Sequence, residues 1–296
     1  MKKTGWIIVN GNLTTNKFID YAEMIQSAAQ KRHMDVSIIK NNEILLDLSD
    51  RHPLGLHRQT YTLPDFVFFI DKDIYLAKYL EQLGIPVFNS SATIEMSDDK
   101  IQTYQKLTDI GIPIPHTIIA PKIYSTGILS DDYLQSIIHK LGLPLIVKEA
   151  FGSFGEQVYL VHEFKELKKL TNQLQGKPYL FQSYISSSHG RDLRLQVVGD
   201  KIIAGMERNN DQDFRANITN GGNMKPFTPD QKATNIAIAA AQAINADFAG
   251  VDLLFGQEDS YLVCEINANA HIRNLTECTS VDIADEMITY IEGKIR

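Results

Sequence analysis

Two acidic residues, Asp252 and Glu265, lie within apolar segments near the C-terminus that are typical of β-strands. The segments are residues 251–255 and 261–267, and the polar stretch between them predicts a turn. If this turn is centred just after Glu258, Asp252 pairs directly with Glu265, and the two carboxylates lie roughly 5 Å apart. Like charges in that arrangement destabilise a hairpin unless a cation lies between them. Carboxylate oxygens are hard ligands, so the pair predicts a Mg²⁺ site.

Asn267 and Cys264 are placed by the same strand. Side chains alternate between the two faces of a strand, so Asn267 shares the face of Glu265 and adds a third oxygen ligand. Cys264 is expected on the opposite face, as a core thiol. A solvated hairpin face that carries two acids by chance explains the segment as well, and the hairpin alone leaves both interpretations open.

The composition is that of an ordinary globular protein and excludes several classes. At 296 residues, with 44% hydrophobic and 22% charged residues, the chain is long enough for about two domains. A net charge of −7 provides no overall basic field, so we expect neither nucleic acid nor a membrane as a partner. Two cysteines, Cys264 and Cys278, are too few for a disulfide framework, which favours a cytoplasmic location. We expect no signal peptide and no membrane-spanning segment.

The N-terminal part alternates strands and helices. The predicted elements are strands over residues 6–9, 36–39 and 65–70 and a helix over residues 17–31. This βαβ pattern predicts a small parallel-sheet domain, in which a ligand would bind beyond the C-terminal ends of the strands. Ordinary turns explain the polar residues at those ends as well. No G-x-G-x-x-G phosphate loop follows the first strand.

A domain boundary is predicted near residue 95, where this pattern changes. Ser97 or Asp98 is expected to cap a helix that runs to about Asp109.

A strand ending in Lys148 is followed by a glycine-bearing loop with Gly152, Ser153 and Gly155. Glycines let a backbone approach a polyphosphate, and the Lys148 ammonium would neutralise its oxygens. Such hairpins also occur in proteins that bind nothing, so this signal is weak by itself.

Polar residues follow in two further strands. The strand over residues 179–185 can offer backbone groups to an adenine edge at its end. Asp192, Arg194 and Gln196 share one face of the next strand, and Arg208 ends the strand that returns beside it. Each arginine alone can pair with a surface carboxylate. Together with the acids and the two hairpins, they favour one phosphate site.

The ordered set of motifs resembles the ATP-grasp superfamily and is most similar to its RimK-like, glutamate-ligase-type branch. The resemblance runs from about Asn89 to the C-terminus. The residues that carry it are Asp99-Lys100, Val147-Lys148, Gln182-Ser183-Tyr184-Ile185, Asp192-x-Arg194, Arg208, Asp213-Phe214-Arg215-x-Asn217, Asp252 and Glu265-x-Asn267.

The resemblance implies a fold of class α/β and α+β. Two α+β subdomains clasp ATP, and a small parallel-sheet βαβ domain precedes them. The implied domains are an N-terminal domain over residues 1–95, a central subdomain with the glycine-rich lid over 96–185, and a C-terminal subdomain with the metal site over 186–296.

The resemblance also implies roles for individual residues. The implied ATP-binding residues are Lys100, Lys148, Gly152, Ser153, Gly155, Gln182, Ser183, Tyr184, Ile185, Asp192 and Arg194. Ser183 and Tyr184 would hold adenine through their backbones. The implied catalytic residues are Arg208, Arg215 and Asn217, and the implied metal ligands are Asp252, Glu265 and Asn267.

The implied activity is that of a carboxylate–amine ligase. A carboxylate attacks the γ-phosphate of ATP to form an acylphosphate, and an amine then displaces phosphate to give an amide or peptide bond. The expected cofactors are ATP and two Mg²⁺ ions, which Mn²⁺ can replace. The expected partners are a small-molecule or peptide carboxylate and an amine or amino acid. The chain itself would form a homodimer or a homotetramer.

The chain departs from the branch immediately after Asn267, where it reads Ala268 to Asn274 in place of the usual small residue, Ser, Pro and Gly. Glutamate specificity and a protein acceptor therefore do not carry over. His271 and Arg273 either recognise an anionic substrate or belong to an ordinary surface loop. A small-molecule kinase and a regulatory nucleotide-binding module without catalysis are the alternative functions.

Overall fold

The computed structural model describes residues 2–13, 16–49, 54–56, 61–124, 127–153, 155–216 and 221–295. Asn217, predicted as a catalytic residue, lies outside these ranges, so its role stays a prediction. No helix within the described ranges is long and apolar enough to cross a membrane.

A parallel sheet with helices on both faces forms the N-terminal part. Its elements are β1 (Thr4–Val9), α1 (Asn16–Lys31), β2 (Asp35–Lys40), β3 (Ile44–Leu45), β4 (Leu54–Gly55), β5 (Phe66–Phe69), α2 (Ile74–Gln82), β6 (Val87–Phe88) and α3 (Ser91–Asp98). The sheet has the order β2-β1-β5-β6 with parallel neighbours, which confirms the predicted βαβ arrangement. Alternate residues of β1 face different helices: Ile7 packs in one core with α1, and Ile8 packs in another with α2.

An antiparallel sheet carries the glycine loop. The elements of this part are α4 (Lys100–Asp109), β7 (Thr117–Ile119), α5 (Asp131–Leu141), β8 (Leu145–Glu149), β9 (Val158–Val161), α6 (Phe164–Gln173) and β10 (Tyr179–Ser183). The strand order is β7-β10-β8-β9, and the loop joins β8 to β9. Leu134 of α5 and Leu167 of α6 pack with Val147 and Phe181 in one core. Lys148 lies on the opposite face of β8, because side chains alternate along a strand.

The cap of α4 differs from the prediction. Asp99, rather than Ser97 or Asp98, is the capping residue, and its Oδ1 accepts the Ile101 N–H over 2.8 Å. Ser97 and Asp98 end α3, a helix that the sequence patterns did not indicate. The predicted C-terminal end of α4 at Asp109 is confirmed.

A five-stranded antiparallel sheet forms the C-terminal part. Its elements are β11 (Arg191–Val198), β12 (Lys201–Asn209), β13 (Asn223–Pro226), α7 (Gln231–Ala243), β14 (Phe248–Phe255), β15 (Tyr261–Asn267), α8 (Arg273–Thr279) and α9 (Ile283–Lys294). The strand order is β13-β12-β11-β14-β15. Arg208 lies at the end of β12 as predicted, one residue before the strand finishes at Asn209, and β13 pairs with the last four residues of β12.

The N-terminal and C-terminal parts share a hydrophobic core. Tyr21 and Ile25 of α1 belong to the same buried cluster as Leu275 of α8 and Met287 of α9. A common core therefore joins the first and the third predicted domain. The predicted domain boundaries stay predictions.

Candidate active site

One cavity between the second and third sheets, called the central cavity below, collects most of the predicted site residues. The predicted residues that line it are Lys100, Lys148, Gly155, Gln182, Ser183, Tyr184, Ile185, Asp192, Arg208, Arg215, Asp252 and Glu265. Gly152, Ser153, Arg194 and Asn267 are not among the lining residues.

The central cavity also has walls that the sequence reasoning missed. These lining residues are Ile146, Val158, Ser188, Arg191, Phe214, Ala216, Leu254 and Cys264. Strand alternation was the available signal for two of them, because Ile146 shares a face with Lys148, and Leu254 shares a face with Asp252. The apolar members suit the faces of a flat heterocycle.

The β14–β15 hairpin pairs Asp252 with Glu265, as the sequence predicts. Between Asp252 and the turn, the pairing is shifted by one residue, so that Leu253 pairs with Val263 rather than with Cys264. Cys264 is the extra residue between the two registers and forms a β-bulge. The prediction that Cys264 faces away from Glu265 is wrong, because the bulge interrupts the alternation and both residues line the central cavity.

Asp252 is 4% exposed and is bound by two arginines. Arg194 lies opposite it on β11, and the Arg194 Nη2 donates to Oδ2 over 2.6 Å. Arg208 donates to the same oxygen over 2.8 Å and to both oxygens of Asp192 over 2.7 and 2.6 Å. Burial raises the pKa of Asp252, but the two guanidinium groups outweigh burial and hold this pKa below its ordinary value. Asp252 therefore remains an ionised carboxylate at neutral pH.

The oxygen donors of the hairpin fit Mg²⁺ in chemical type. Across the described ranges, no three acidic, histidine or cysteine side chains come together as a metal cluster, and the role of Asn267 as a third ligand stays a prediction. Two carboxylates and one amide are oxygen ligands that Mg²⁺ accepts beside water and phosphate. A bound ion would share Asp252 with Arg194 and Arg208.

Lys100 and Lys148 are buried cations that form no salt bridge with a carboxylate of the described residues, although the charge of Glu265 raises the pKa of each. Lys148 is 5% exposed, and its Nζ donates to the Tyr104 hydroxyl over 3.0 Å. Lys100 is 9% exposed, and its Nζ donates to the Gly152 carbonyl over 3.2 Å. Neither ammonium forms an ion pair with any residue that the structure describes. Because buried charges are normally paired, the two lysines suit an anionic ligand in the central cavity.

The glycine loop is held from three directions. Lys100 binds the Gly152 carbonyl, Lys72 donates from its Nζ to Ser153 Oγ over 3.1 Å, and Arg215 donates from its Nη1 to the Gly155 carbonyl over 2.6 Å. These cations come from α4, from the turn after β5 and from the segment after β12. The loop therefore bridges all three parts of the molecule.

Gly152 is required where it stands. Its φ of 142° is rare for residues with a side chain, and an added Cβ would lie 2.2 Å from Gln157 Oε1. The same Gln157 oxygen accepts the Ser153 N–H over 3.1 Å.

The end of β10 supplies the wall predicted for adenine. The Ser183 N–H already donates to the His116 carbonyl over 2.9 Å, so this donor belongs to the sheet. Tyr184 and Ile185 lie beyond the strand and line the central cavity. The Ile185 carbonyl already accepts the Ser188 N–H over 3.0 Å, so the adenine contact predicted for these backbones stays a prediction. Gln182 is 1% exposed and donates to Thr117 Oγ1 over 2.8 Å.

A family comparison connects this geometry with known proteins. The model of the RimK-like ATP-grasp domain matches residues 97–291. The chain belongs to the RimK-like ATP-grasp family. This confirms the family that the motifs resemble, and the match includes all the residues that line the central cavity.

This RimK-like ATP-grasp protein is similar to curated ligases. It is 29% identical over 288 residues to the probable alpha-L-glutamate ligase of Mannheimia succiniciproducens, with 92% of this chain and 93% of the relative covered. It is 32% identical over 227 residues to the glutamate–LysW ligase ArgX of Sulfolobus acidocaldarius, with 74% of this chain and 77% of the relative covered. These relatives confirm the predicted enzyme class, an ATP-dependent ligase that forms carbon–nitrogen bonds.

A solved structure supports the fold. The ATP-grasp ligase PsnB, in complex with a phosphomimetic variant of its minimal precursor, Mg and ADP, superposes with a TM-score of 0.72 at 16% identity. The alignment covers 100% of this chain and 99% of PsnB. The predicted ATP-grasp architecture is therefore confirmed, whereas the roles of individual residues stay predictions.

His271 and Arg273, in the segment where the RimK-like ATP-grasp protein departs from its branch, face the N-terminal part. Arg273 donates from its Nε to Asp20 Oδ2 over 2.9 Å, and its Nη2 also contacts Asp20 Oδ1. The His271 Nε2 lies 3.8 Å from Asp20 Oδ2, and its ring packs against Tyr21. The carboxylate beside these two side chains thus belongs to α1 of the same chain.

Proposed function

We propose that this RimK-like ATP-grasp protein uses ATP and Mg²⁺ to join a carboxylate of a small molecule or peptide to the amine of an amino acid. The observation that carries the proposal is the pair of buried lysines, Lys100 and Lys148, which share the central cavity with Glu265 and form no ion pair among the described residues. A triphosphate matches such a cavity because its charge needs several cations. Phosphoryl transfer depends on this neutralisation and on positioning more than on a protein nucleophile.

The proposed reaction has two steps. The substrate carboxylate attacks the γ-phosphorus of ATP, the bond to the bridging oxygen breaks, and ADP leaves, so that an acylphosphate forms. The amine then attacks the acyl carbon and loses a proton, and phosphate leaves with the formation of an amide. Lys100 and Lys148 would hold phosphate oxygens during the first step. Arg208 would keep Asp192 and Asp252 in place, since it already binds both carboxylates.

Exclusion of water is the second requirement, because water would hydrolyse an acylphosphate. The glycine loop is the element that supports this part of the proposal. Arg215 binds the Gly155 carbonyl and pairs with Asp213, so it would connect loop closure with the reacting end of the cavity.

Asp252, Glu265 and Asn267 would hold Mg²⁺, with Mn²⁺ as a substitute and two ions per site. The bound metal would neutralise charge on the phosphates. An ionised Asp252, held by Arg194 and Arg208, is ready to bind a cation without first losing a proton.

An amino acid is the proposed amine substrate because two relatives are named for the ligation of glutamate. Glutamate itself is not part of the proposal, since the segment after Asn267 differs from the branch and its Arg273 binds Asp20. The proposal includes a cytoplasmic location, because both cysteines are free thiols, as in proteins of a reducing compartment.

A substrate matrix tests the proposal. The purified chain is incubated with ATP, Mg²⁺ and each combination of a small carboxylate or peptide with an amino acid, and both phosphate release and product mass are measured. We expect phosphate release that needs both substrates, with a product whose mass equals their sum less one water. A stable phosphorylated product without an amide would overturn the ligase proposal and identify a kinase. Nucleotide binding without turnover in any combination would instead indicate a regulatory module.

A further inference from the structure

Tyr104 links three parts of the active site through one hydroxyl group. It lies on α4, one turn after Lys100, and is 3% exposed. Its hydroxyl donates to the Cys264 carbonyl over 2.5 Å and accepts from Lys148 Nζ over 3.0 Å. Cys264 is the bulged residue directly before Glu265. One side chain thus holds a buried lysine and the bulge beside a proposed metal ligand.

The hydroxyl fills both roles only in its neutral form. Burial raises the pKa of Tyr104, so the phenol keeps its proton at neutral pH. A neutral hydroxyl donates one hydrogen bond and accepts others, as the two contacts require. The other hydrogen-bond partner of Lys148 Nζ within the described chain is the Cys264 sulfur, at 3.7 Å. Without the hydroxyl, the lysine loses its oxygen acceptor.

We propose that Tyr104 is a positioning residue for ATP binding, whose hydroxyl holds Lys148 in the orientation that meets the nucleotide phosphates. Tyr104 does not line the central cavity, so it acts through Lys148 and not by touching the ligand. This inference rests on the proposed function, because it requires Lys148 to bind phosphate.

A double-mutant cycle of Tyr104→Phe and Lys148→Met tests the proposal. The dissociation constant of a non-hydrolysable ATP analogue with Mg²⁺ is measured by calorimetry for the wild type, both single variants and the double variant. Because a hydrogen bond to a charged group is lost, Tyr104→Phe should weaken binding by about tenfold. In the Lys148→Met background the same change should weaken binding much less, since the lysine through which Tyr104 acts is gone and the contact with the Cys264 carbonyl is what remains to be lost.

Tyr21→Phe is the matched control, because Tyr21 is also 3% exposed and its hydroxyl contacts Met287 Sδ in a core away from the cavity. It should bind the analogue as the wild type does. Thermal unfolding of every variant separates a change in stability from a change in affinity. If Tyr104→Phe does not fold, Tyr104→Leu takes its place in the cycle, since leucine also lacks a hydroxyl, and the same comparison applies.

The outcomes separate this inference from the proposed function. Unchanged affinity in Tyr104→Phe, or an equal loss in both backgrounds, overturns the positioning role while Lys148→Met still reports on phosphate binding. If Lys148→Met binds the analogue as tightly as the wild type does, the phosphate role of Lys148 is wrong, and the role of Tyr104 is wrong with it.

Discussion

Lys100 holds a positive charge at a position that is 9% exposed. Burial lowers its pKa below 10.5, and the nearby Lys148 and Lys72 lower it further, against the opposing effect of Glu265 and Asp98. Phosphate binding needs the charged form, which predominates below the pKa. With the proposed role of Lys100 in phosphate binding, the lowered pKa would move the loss of binding at alkaline pH to lower values than an ordinary lysine would show.

We predict that Lys100→Arg shifts the alkaline fall of kcat/KM for ATP to higher pH, because a guanidinium stays charged in this range. The pH profile of the free enzyme is the measurement. Lys106→Arg, on the exposed side of the same helix, is the control and should leave the profile unchanged. An identical alkaline limb in Lys100→Arg would show that another group titrates there.

Glu265 is the residue whose charge decides the metal assignment. Glu265→Gln keeps the size of the side chain and one oxygen but removes the negative charge, so the Mg²⁺ concentration for half-maximal activity should rise by about tenfold or more. A magnesium titration of phosphate release measures this. Glu258→Gln, in the exposed turn of the same hairpin, should behave as the wild type does. A wild-type magnesium requirement in Glu265→Gln would exclude Glu265 as a ligand.

At the scale of elements, the β8–β9 loop depends on cations from outside its own sheet. Lys72 follows β5 of the N-terminal sheet and contacts both Ser153 of the loop and Asp98 of α3. The pair is exposed, so its effect on the stability of the whole protein is small. Its effect on the loop is local, because Ser153 lies within the segment that is proposed to close over the cavity.

We predict that Lys72→Met weakens the coupling between ATP cleavage and amide formation. A looser loop admits water to the acylphosphate, so more phosphate is released for each amide formed. The ratio of phosphate to amide, measured on the same samples, should rise above that of the wild type. Lys78→Met, on the exposed side of α2, provides the control. A ratio that stays at the wild-type value in Lys72→Met would show that this contact does not close the loop.

At the scale of the whole molecule, one buried amide joins the N-terminal part to the C-terminal sheet. Asn89 is 1% exposed, and its Nδ2 donates to the carbonyls of Phe248 and Ala268 over 3.0 and 2.8 Å. Its Oδ1 accepts the N–H groups of Asp247 and Phe248 over 2.6 and 3.1 Å. Ala268 follows Asn267 directly, so Asn89 also supports the end of the proposed metal site.

We predict that Asn89→Ala lowers the free energy of unfolding by roughly 3 kcal/mol, because several buried backbone groups lose their partner at once. Denaturant unfolding followed by circular dichroism measures the change. Asn235→Ala is the control, since Asn235 is exposed on α7 and accepts a single side-chain bond from Gln231. A loss no larger than that of the control would mean that water or rearranged groups satisfy these partners.

The sequence by itself determined the pairing of Asp252 with Glu265, the parallel N-terminal sheet and the family. The reason is that these features depend on short-range patterns, such as the alternation of strand residues and the ordered spacing of motifs. The cap of α4 was predicted to within two residues, because Ser97, Asp98 and Asp99 are all good capping residues and local sequence does not choose among them. The bulge at Cys264 could not be predicted, since no local signal marks it.

The tertiary structure alone decided which partners the charged residues have. It brought Arg194 and Arg208 to Asp252, left Lys100 and Lys148 without ion pairs among the described residues, and turned Arg273 toward Asp20. These contacts join segments that are far apart in the chain, and they depend on which faces become buried together. Burial and packing are properties of the whole fold, so the pattern of a single strand does not contain them.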